Sequence, residues 1–185
     1  MTLDSKEAAD RLRFIVDHNV ARLARWLRMM GYDTLIFDQP DDWQMIRIAL
    51  ADNRIVITKD TGVMKRRVIT SGKLKALFVT SDDPDEQIKM VVDRFGLDDR
   101  SAFSMCIECN VPLVPVGRDQ VKDRVPQYVF KTQEQFVECP VCHRVYWKGT
   151  HWQAMTRTLD RLTGRGAEIP ADQGDGEDAP QSRSP

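Results

Sequence analysis

Residues 13–38 read RFIVDHNVARLARWLRMMGYDTLIFD, and this stretch sets the fold class. Phe14, Ile15 and Val16 are a short apolar run of strand formers, and Asp17 follows where a parallel strand would leave its sheet. Val20, Leu23, Leu27 and Met30 then recur at spacings of three and four, which predicts a helix with Asn19 as its N-cap and Gly31 as a left-handed C-cap. A second strand, Thr34 to Phe37, ends at Asp38. Strand, helix and strand in so short a span make a βαβ unit, whose ligand site is expected at the carboxyl ends of the strands. Asp17 points at that site.

Working outward, the pattern repeats. A helix beginning at Asp41 or Asp42 places Trp43, Ile46, Ala49 and Leu50 on its buried stripe. Arg54 to Thr58 (RIVIT) is a third strand with Asp60 just past it. A basic helix follows, with Val63, Met64 and Val68 inward and Lys65, Arg66 and Arg67 outward. Leu74 to Thr80 is the fourth strand, and Ile88, Val91, Val92 and Phe95 mark a helix stopped by Gly96. This alternation predicts an α/β domain over residues 11–100, with a parallel sheet in the middle of three layers.

Composition changes near Ser101. Cys106-Ile-Glu-Cys109 and Cys139-Pro-Val-Cys142 hold all four cysteines of the chain and bracket 29 residues with three prolines. Two C-x-x-C pairs place four thiolates around one tetrahedral ion, so residues 101–163 read as a small zinc ribbon with a closing helix from Thr150 to Leu162. The separation exceeds the usual span of about 15 to 20 residues, and the ribbon should carry an insertion. Two disulfides would suit an exported protein better. A redox pair would need one C-x-x-C near the first helix, and the haem string Cys139 to His143 lacks an export signal beside it. Four cysteines close the metal's shell, so this zinc is structural in character.

The chain has 185 residues, room for one core and a small satellite. Its 42% apolar and 30% charged residues are those of a globular protein, with no stretch approaching the roughly 18 apolar residues that span a bilayer. Residues 1–10 are polar, expected to be flexible, and carry no signal-peptide core, so a cytoplasmic protein is the expectation. Net charge is −1, but 105–165 carries nine basic against six acidic residues, and 166–185 one against five. The first excess allows a surface facing phosphates, and 164–185 should be a disordered acidic tail.

Asp17, Asp42 and Asp60 would gather at the carboxyl edge of the sheet. Carboxylates repel one another unless a hard cation neutralises them, so the cluster predicts Mg²⁺ or Mn²⁺ and the equipment for phosphodiester hydrolysis. Each acid also has a plainer reading. Asp17 and Asp60 sit where helix caps belong, Asp42 is equally read as an N-cap, and Asp83 opens a capping box with Pro84 in the first turn. Asp82 and Asp38 stay open. Arg22, Arg25 and Arg28 on the first helix, with Lys65, Arg66 and Arg67, are candidates for holding RNA phosphates or a solvated face. Tyr146, Trp147, Lys148, His151 and Trp152 either stack bases or pack the ribbon against the first domain. His18 and His143 read as ordinary polar neighbours.

These residues together resemble the Mut-seven C-terminal RNase domain family, in which a PIN-like nuclease fold precedes a zinc ribbon. The strings that carry the resemblance are FIVD at 14–17, LARWLRMMGYD at 23–33, IVITKD at 55–60, CIECN at 106–110 and CPVCHRVYWKGTH at 139–151. It implies metal-dependent RNA cleavage, here by a single-strand endoribonuclease whose structural zinc ribbon helps to grip the RNA. Asp17 and Asp60 would be metal-binding acids, Asp42 fits the helix acid of such folds, and Asp82 or Asp38 stands for a fourth. The rival reading is an inactive adaptor that binds RNA or protein. An aspartyl-phosphate enzyme is weaker, since Asn19 stands where a second acid is wanted. No motif names a protein partner or an antitoxin.

Overall fold

The computed structural model describes residues 12–98 and 101–163. Four parallel strands, β1 (Arg13–Asp17), β2 (Thr34–Phe37), β3 (Arg54–Thr58) and β4 (Ala76–Phe78), form one sheet in the order β2-β1-β3-β4. Register pairs Asp17 with Phe37 and Val16 with Ile57, so β1, β2 and β3 end at nearly the same height. The strands are apolar on both sides because both faces are covered. Phe14, Val16, Ile55 and Ile57 pack under α1 (Ala21–Met29) and α5 (Pro84–Phe95), with Leu23, Leu27, Ile88 and Val91 buried between them. Ile15 and Val56 face the other way, onto Met45, Ile46 and Ala49 of α2 (Asp42–Ala51) and Val63 of α3 (Thr61–Met64).

Several local readings shift. Asn19 is not the cap of the first helix: Asp17 accepts from the Asn19 N–H at 2.9 Å and opens a 3-10 turn, His18–Val20, before α1. The stripe of α2 is Met45, Ile46 and Ala49, whereas Trp43 is 51% exposed and carries the Arg66 guanidinium on its ring. Leu50 is exposed too. The basic helix is two short ones, α3 and α4 (Arg67–Thr70), broken where Arg66 takes an extended backbone. The fourth strand is shorter than 74–80. Asp83 caps α5 by accepting from Asp85 and not from Glu86, and its own N–H donates to Ser81 Oγ at 3.0 Å, so a simple N-cap stands where a capping box was expected.

Gly31 ends α1 as expected, at φ +89°, with the paired Tyr32-to-Leu27 and Gly31-to-Arg28 bonds of a Schellman turn. A Cβ there would stand 2.2 Å from the Ser101 carbonyl oxygen. Helix end and second unit meet with no room for a side chain.

The second unit is an antiparallel sheet in the order β5-β6-β7, from Val114–Val116, Phe136–Glu138 and Val145–Tyr146. Its insertion is helical: α6 (Arg118–Val121) and α7 (Gln127–Thr132) close over Val121, Val125, Val129 and Phe136. The last helix, α8 (Thr150–Thr163), is grouped with the ribbon by sequence position but lies along α5, with Met155 on the first core and Arg161 reaching Asp85 at 3.3 Å. No helix among the described residues is long and apolar enough to cross a membrane. The flexible start at 1–10 and the acidic tail at 164–185 lie outside the described residues, as do the side chains of His151, Leu159 and Leu162.

Candidate active-site cleft and metal centre

In the order β2-β1-β3-β4 the chain leaves β1 first to one side and then to the other, so the crevice at the carboxyl ends of β1 and β3 lies at a topological switch point. A cleft of about 310 Å³ opens there, lined by Asp17, Asp38, Asp42 and Asp60 with His18, Asn19 and neighbours from β2, α2 and α3. Three connections, after β1, β2 and β3, deliver these four acids to one place. Asp38, and not Asp82, is the further acid of the lining; Asp82 is exposed and pairs with Lys59.

Asp17 is buried to 9% exposure and held by three donors. One oxygen accepts from Asn19 N at 2.9 Å, and the other from the Thr58 hydroxyl and from Lys59 N at 3.2 Å. Thr58 also accepts from Asp60 N at 2.9 Å. A single hydroxyl therefore ties the two acids together and fixes Asp17 as an acceptor. Sequence reasoning passed over Thr58; the signal was a hydroxyl ending a strand otherwise apolar after Arg54. Asp60 is also a helix cap, with Oδ1 accepting from Gly62 N at 2.5 Å and Val63 N at 3.3 Å. Its plainer reading is true and does not remove it from the cleft.

Asp42 is not the cap of α2. That role falls to Asp41, which accepts from Trp43 N at 2.9 Å, and Asp42 instead pairs with Arg66 Nη2 at 3.2 Å. The acids are thus spoken for by separate neighbours. Among the described residues, the cysteines are the group of three or more metal-type ligands gathered within 4.8 Å of one another. Cleft acids offer the hard oxygen donors that Mg²⁺ or Mn²⁺ prefers, on separate arms.

The cysteine group lies at the other end of the sheet. Cys106, Cys109, Cys139 and Cys142 come from two matching knuckles. In each, the residue after the second cysteine has positive φ, Asn110 at 56° and His143 at 57°, and donates back to the first cysteine's carbonyl, at 3.0 and 2.9 Å. In each, the second cysteine's N–H points at the first sulfur at 3.4 Å. Cys106 and Cys142 sulfurs stand 3.8 Å apart. A tetrahedral shell of bonds near 2.3 Å separates sulfurs by about 3.8 Å, so the donor set fits zinc. Burial opposes ionisation of Cys106, but hydrogen bonds from Tyr146 and from the Cys109 and Glu108 amides outweigh it and bring the thiol down to about 7. Cys109 is pushed up to about 12 by Cys142, by burial and by the other two sulfurs. Four sulfurs gathered within 4.8 Å of one another are a donor set that a cation completes.

Beneath this centre lies a polar lattice that joins the units. Arg28 is 5% exposed and donates to Thr34 O at 2.8 Å, Ile107 O at 2.9 Å and Glu108 O at 3.0 Å. Burial pushes its guanidinium below the usual range, against the pull of Glu108, Cys106 and Asp33. Arg54 grips Asp33 with two bonds, at 2.8 and 2.9 Å, while Asn110 bonds Asp33 and accepts from Thr34 N at 2.8 Å. Arg25 and Arg144 share Glu108 at 2.6 and 3.0 Å.

The basic candidates therefore divide. Arg28 is withdrawn from solvent into knuckle carbonyls, so it is no phosphate contact on this surface, and Arg25 has Glu108 for a partner. Arg22, Lys65 and Arg67 are exposed, and Arg66 stands at the cleft. Of the aromatic group, Tyr146 bonds Cys106 at 3.2 Å, Trp147 packs on the ribbon core, and Trp152 meets Phe103 edge-on with Lys148 over its ring. His18 lines the cleft, and His143 pairs with Glu138 at 3.0 Å.

A family model described as Mut7-C RNAse domain matches residues 12–159, from the first strand through most of the last helix. No curated protein and no solved structure matches the chain.

Proposed function

We propose, from the premise that this chain belongs to the Mut7-C RNAse domain family, that it is a metal-dependent ribonuclease hydrolysing phosphodiester bonds of single-stranded RNA. The family carries the coarse reading of a ribonuclease and of RNA as substrate. The observation that supports the finer one is the delivery of Asp17, Asp38, Asp42 and Asp60 to one cleft at the switch point of a parallel sheet.

In this reading Asp17, Asp42 and Asp60 hold Mg²⁺ or Mn²⁺, with Asp38 as the further acid in place of Asp82. A bound divalent ion there supplies polarisation of the phosphoryl oxygen and a water of lowered pKa. The chain's own part is positioning. Asp17 is oriented by Asn19, Thr58 and Lys59 before any ligand arrives, so its carboxylate need not reorganise. Thr58 sets the height of Asp60 against Asp17. Arg66 restrains Asp42 and brings a positive charge to the rim. Arg22 and Lys65 remain exposed for backbone phosphates, while the zinc ribbon, tied to the far end of the sheet, is a structural brace.

The test is cutting of end-labelled single-stranded RNA with Mn²⁺ by wild type and Asp17→Asn. Internal products that vanish in the variant are expected. Equal cutting by both would overturn the site, and RNA binding without divalent-ion binding would return the inactive adaptor, which the separation of the acids favours.

A further inference from the structure

Trp43 stands in the first turn of α2 beside a cleft residue, yet half of its surface faces solvent. Helix periodicity would bury it, and the core takes Met45 in its place. The guanidinium of Arg66 lies over the indole with Cζ 4.9 Å from the ring centroid, within cation–π range. The same guanidinium donates through Nη2 to Asp42 of the cleft at 3.2 Å, the long end of a charge-assisted bond. Its Nε is covered and has no hydrogen-bond partner. Indole, guanidinium and acid thus form a row from the rim into the cleft, and the side chain in the middle keeps about a third of its surface open to a ligand.

A charged group with an unmet buried donor is incomplete, because such a donor loses its water without gaining an acceptor. A phosphodiester supplies acceptors in the planar arrangement that suits a guanidinium, and it carries a flat base one sugar away. An exposed indole next to that cation is the surface on which a base stacks. We propose that Trp43 and Arg66 form a nucleotide subsite at the rim of the cleft: the indole stacks one unpaired base of the substrate and Arg66 takes the phosphate joined to it. This rests on the nuclease reading above and sharpens it, since a stacked base must be unpaired and the subsite would select single strands over duplex.

The test is binding of the full chain to a fluorescein-labelled oligoadenylate, read by anisotropy, with a series in which one abasic nucleotide is walked along the strand. For wild type, one abasic position should weaken binding by about tenfold. In Trp43→Ala binding of the intact strand should fall about as far and the abasic penalty should disappear, while Trp43→Phe keeps most of both. Matched melting curves establish that the variants are folded. A penalty unchanged in Trp43→Ala overturns the subsite and leaves Trp43 to a protein contact or to none. Cutting of the same strand with Mn²⁺ separates the two failures. A chain that cuts but shows no abasic position loses the subsite alone, and one that neither binds nor cuts loses the nuclease reading with it.

Discussion

At the amino ends of β1, β2 and β3, Asp33 is met by Arg54 and Asn110, and Arg28 by three carbonyls. At the carboxyl ends, some four residues along the same strands, Asp17, Asp38, Asp42 and Asp60 share a cleft in whose lining the basic side chain is His18. One end has its charges balanced internally, and the other presents a surplus of one sign to solvent. Balance of this kind makes a foundation, because buried ions are tolerated only when their partners are fixed. Surplus invites a ligand of opposite charge. On the proposed reading the cysteine end supplies stability and the cleft the chemistry, and each assignment can be broken separately.

The largest effect should follow loss of the metal centre. Cys139→Ser is expected to abolish stoichiometric zinc by elemental analysis and to release amide exchange in Phe136–Glu138, since structural zinc sites of this type contribute on the order of 10 kcal/mol to folding. Unchanged exchange there would remove the cysteine end from the stabilising role. Next, Arg54→Met leaves Asp33 with its principal partner gone and should cost about 3 kcal/mol in urea unfolding, the lower end for a broken buried pair. Cleavage by the folded variant should stay within about twofold, because Arg54 is remote from the reacting groups.

Asp17→Asn reverses that pattern. Its cutting rate should fall by about a hundredfold or more against a stability loss of only about 1 kcal/mol, the cost of turning one amide NH2 toward donors that the carboxylate accepted. Thr58→Val is predicted to be intermediate, costing about 1–2 kcal/mol because Asp60 N–H and Asp17 each lose a partner, and slowing cleavage by about tenfold. A stability loss with no rate change would separate Thr58 from the site.

The smallest effect concerns acid. Burial favours neutral Asp33, but hydrogen bonds from Arg54 and Asn110 outweigh it and hold the acid below the ordinary carboxylate range. Arg25 does the same for Glu108, against burial and with Arg144. Both are depressed in the folded state, so the unfolded chain binds more protons in the acid range. Their contribution is complete above about pH 5 and is lost as pH falls through the lower folded values. Urea midpoints taken downward from pH 5 should decline, and Asp33→Asn should decline less steeply.

Much of this frame was legible in the sequence. The limits of β3, the three acids near the strand exits, the paired cysteines and the Gly31 turn were all carried by local pattern, because strand period, cap chemistry and C-x-x-C spacing act over a few residues. What escaped depends on distant contacts. Arg28 reads as a surface arginine because it lies off the apolar stripe of its helix, and only Ile107 and Glu108, some 80 positions on, bury it. Trp43 reads as core because it is a large apolar residue at helical spacing, and nothing local reveals that the sheet-facing positions of its helix go to Met45, Ile46 and Ala49. Thr58 was overlooked as a site residue for the same reason, since its partner Asp17 lies 41 residues away, and Arg66, read as a candidate phosphate contact, gave no local sign of its pairing with Asp42, 24 residues off.

Gly31 has a consequence for variation at that position. The backbone angle tolerates asparagine as well as glycine, but the Ser101 carbonyl at 2.2 Å from a hypothetical Cβ tolerates neither asparagine nor alanine. Gly96, at φ +63° with open space around it, meets only the backbone requirement. In a saturation library scored for folded protein, position 96 should therefore accept asparagine as a second occupant, and position 31 should return glycine alone.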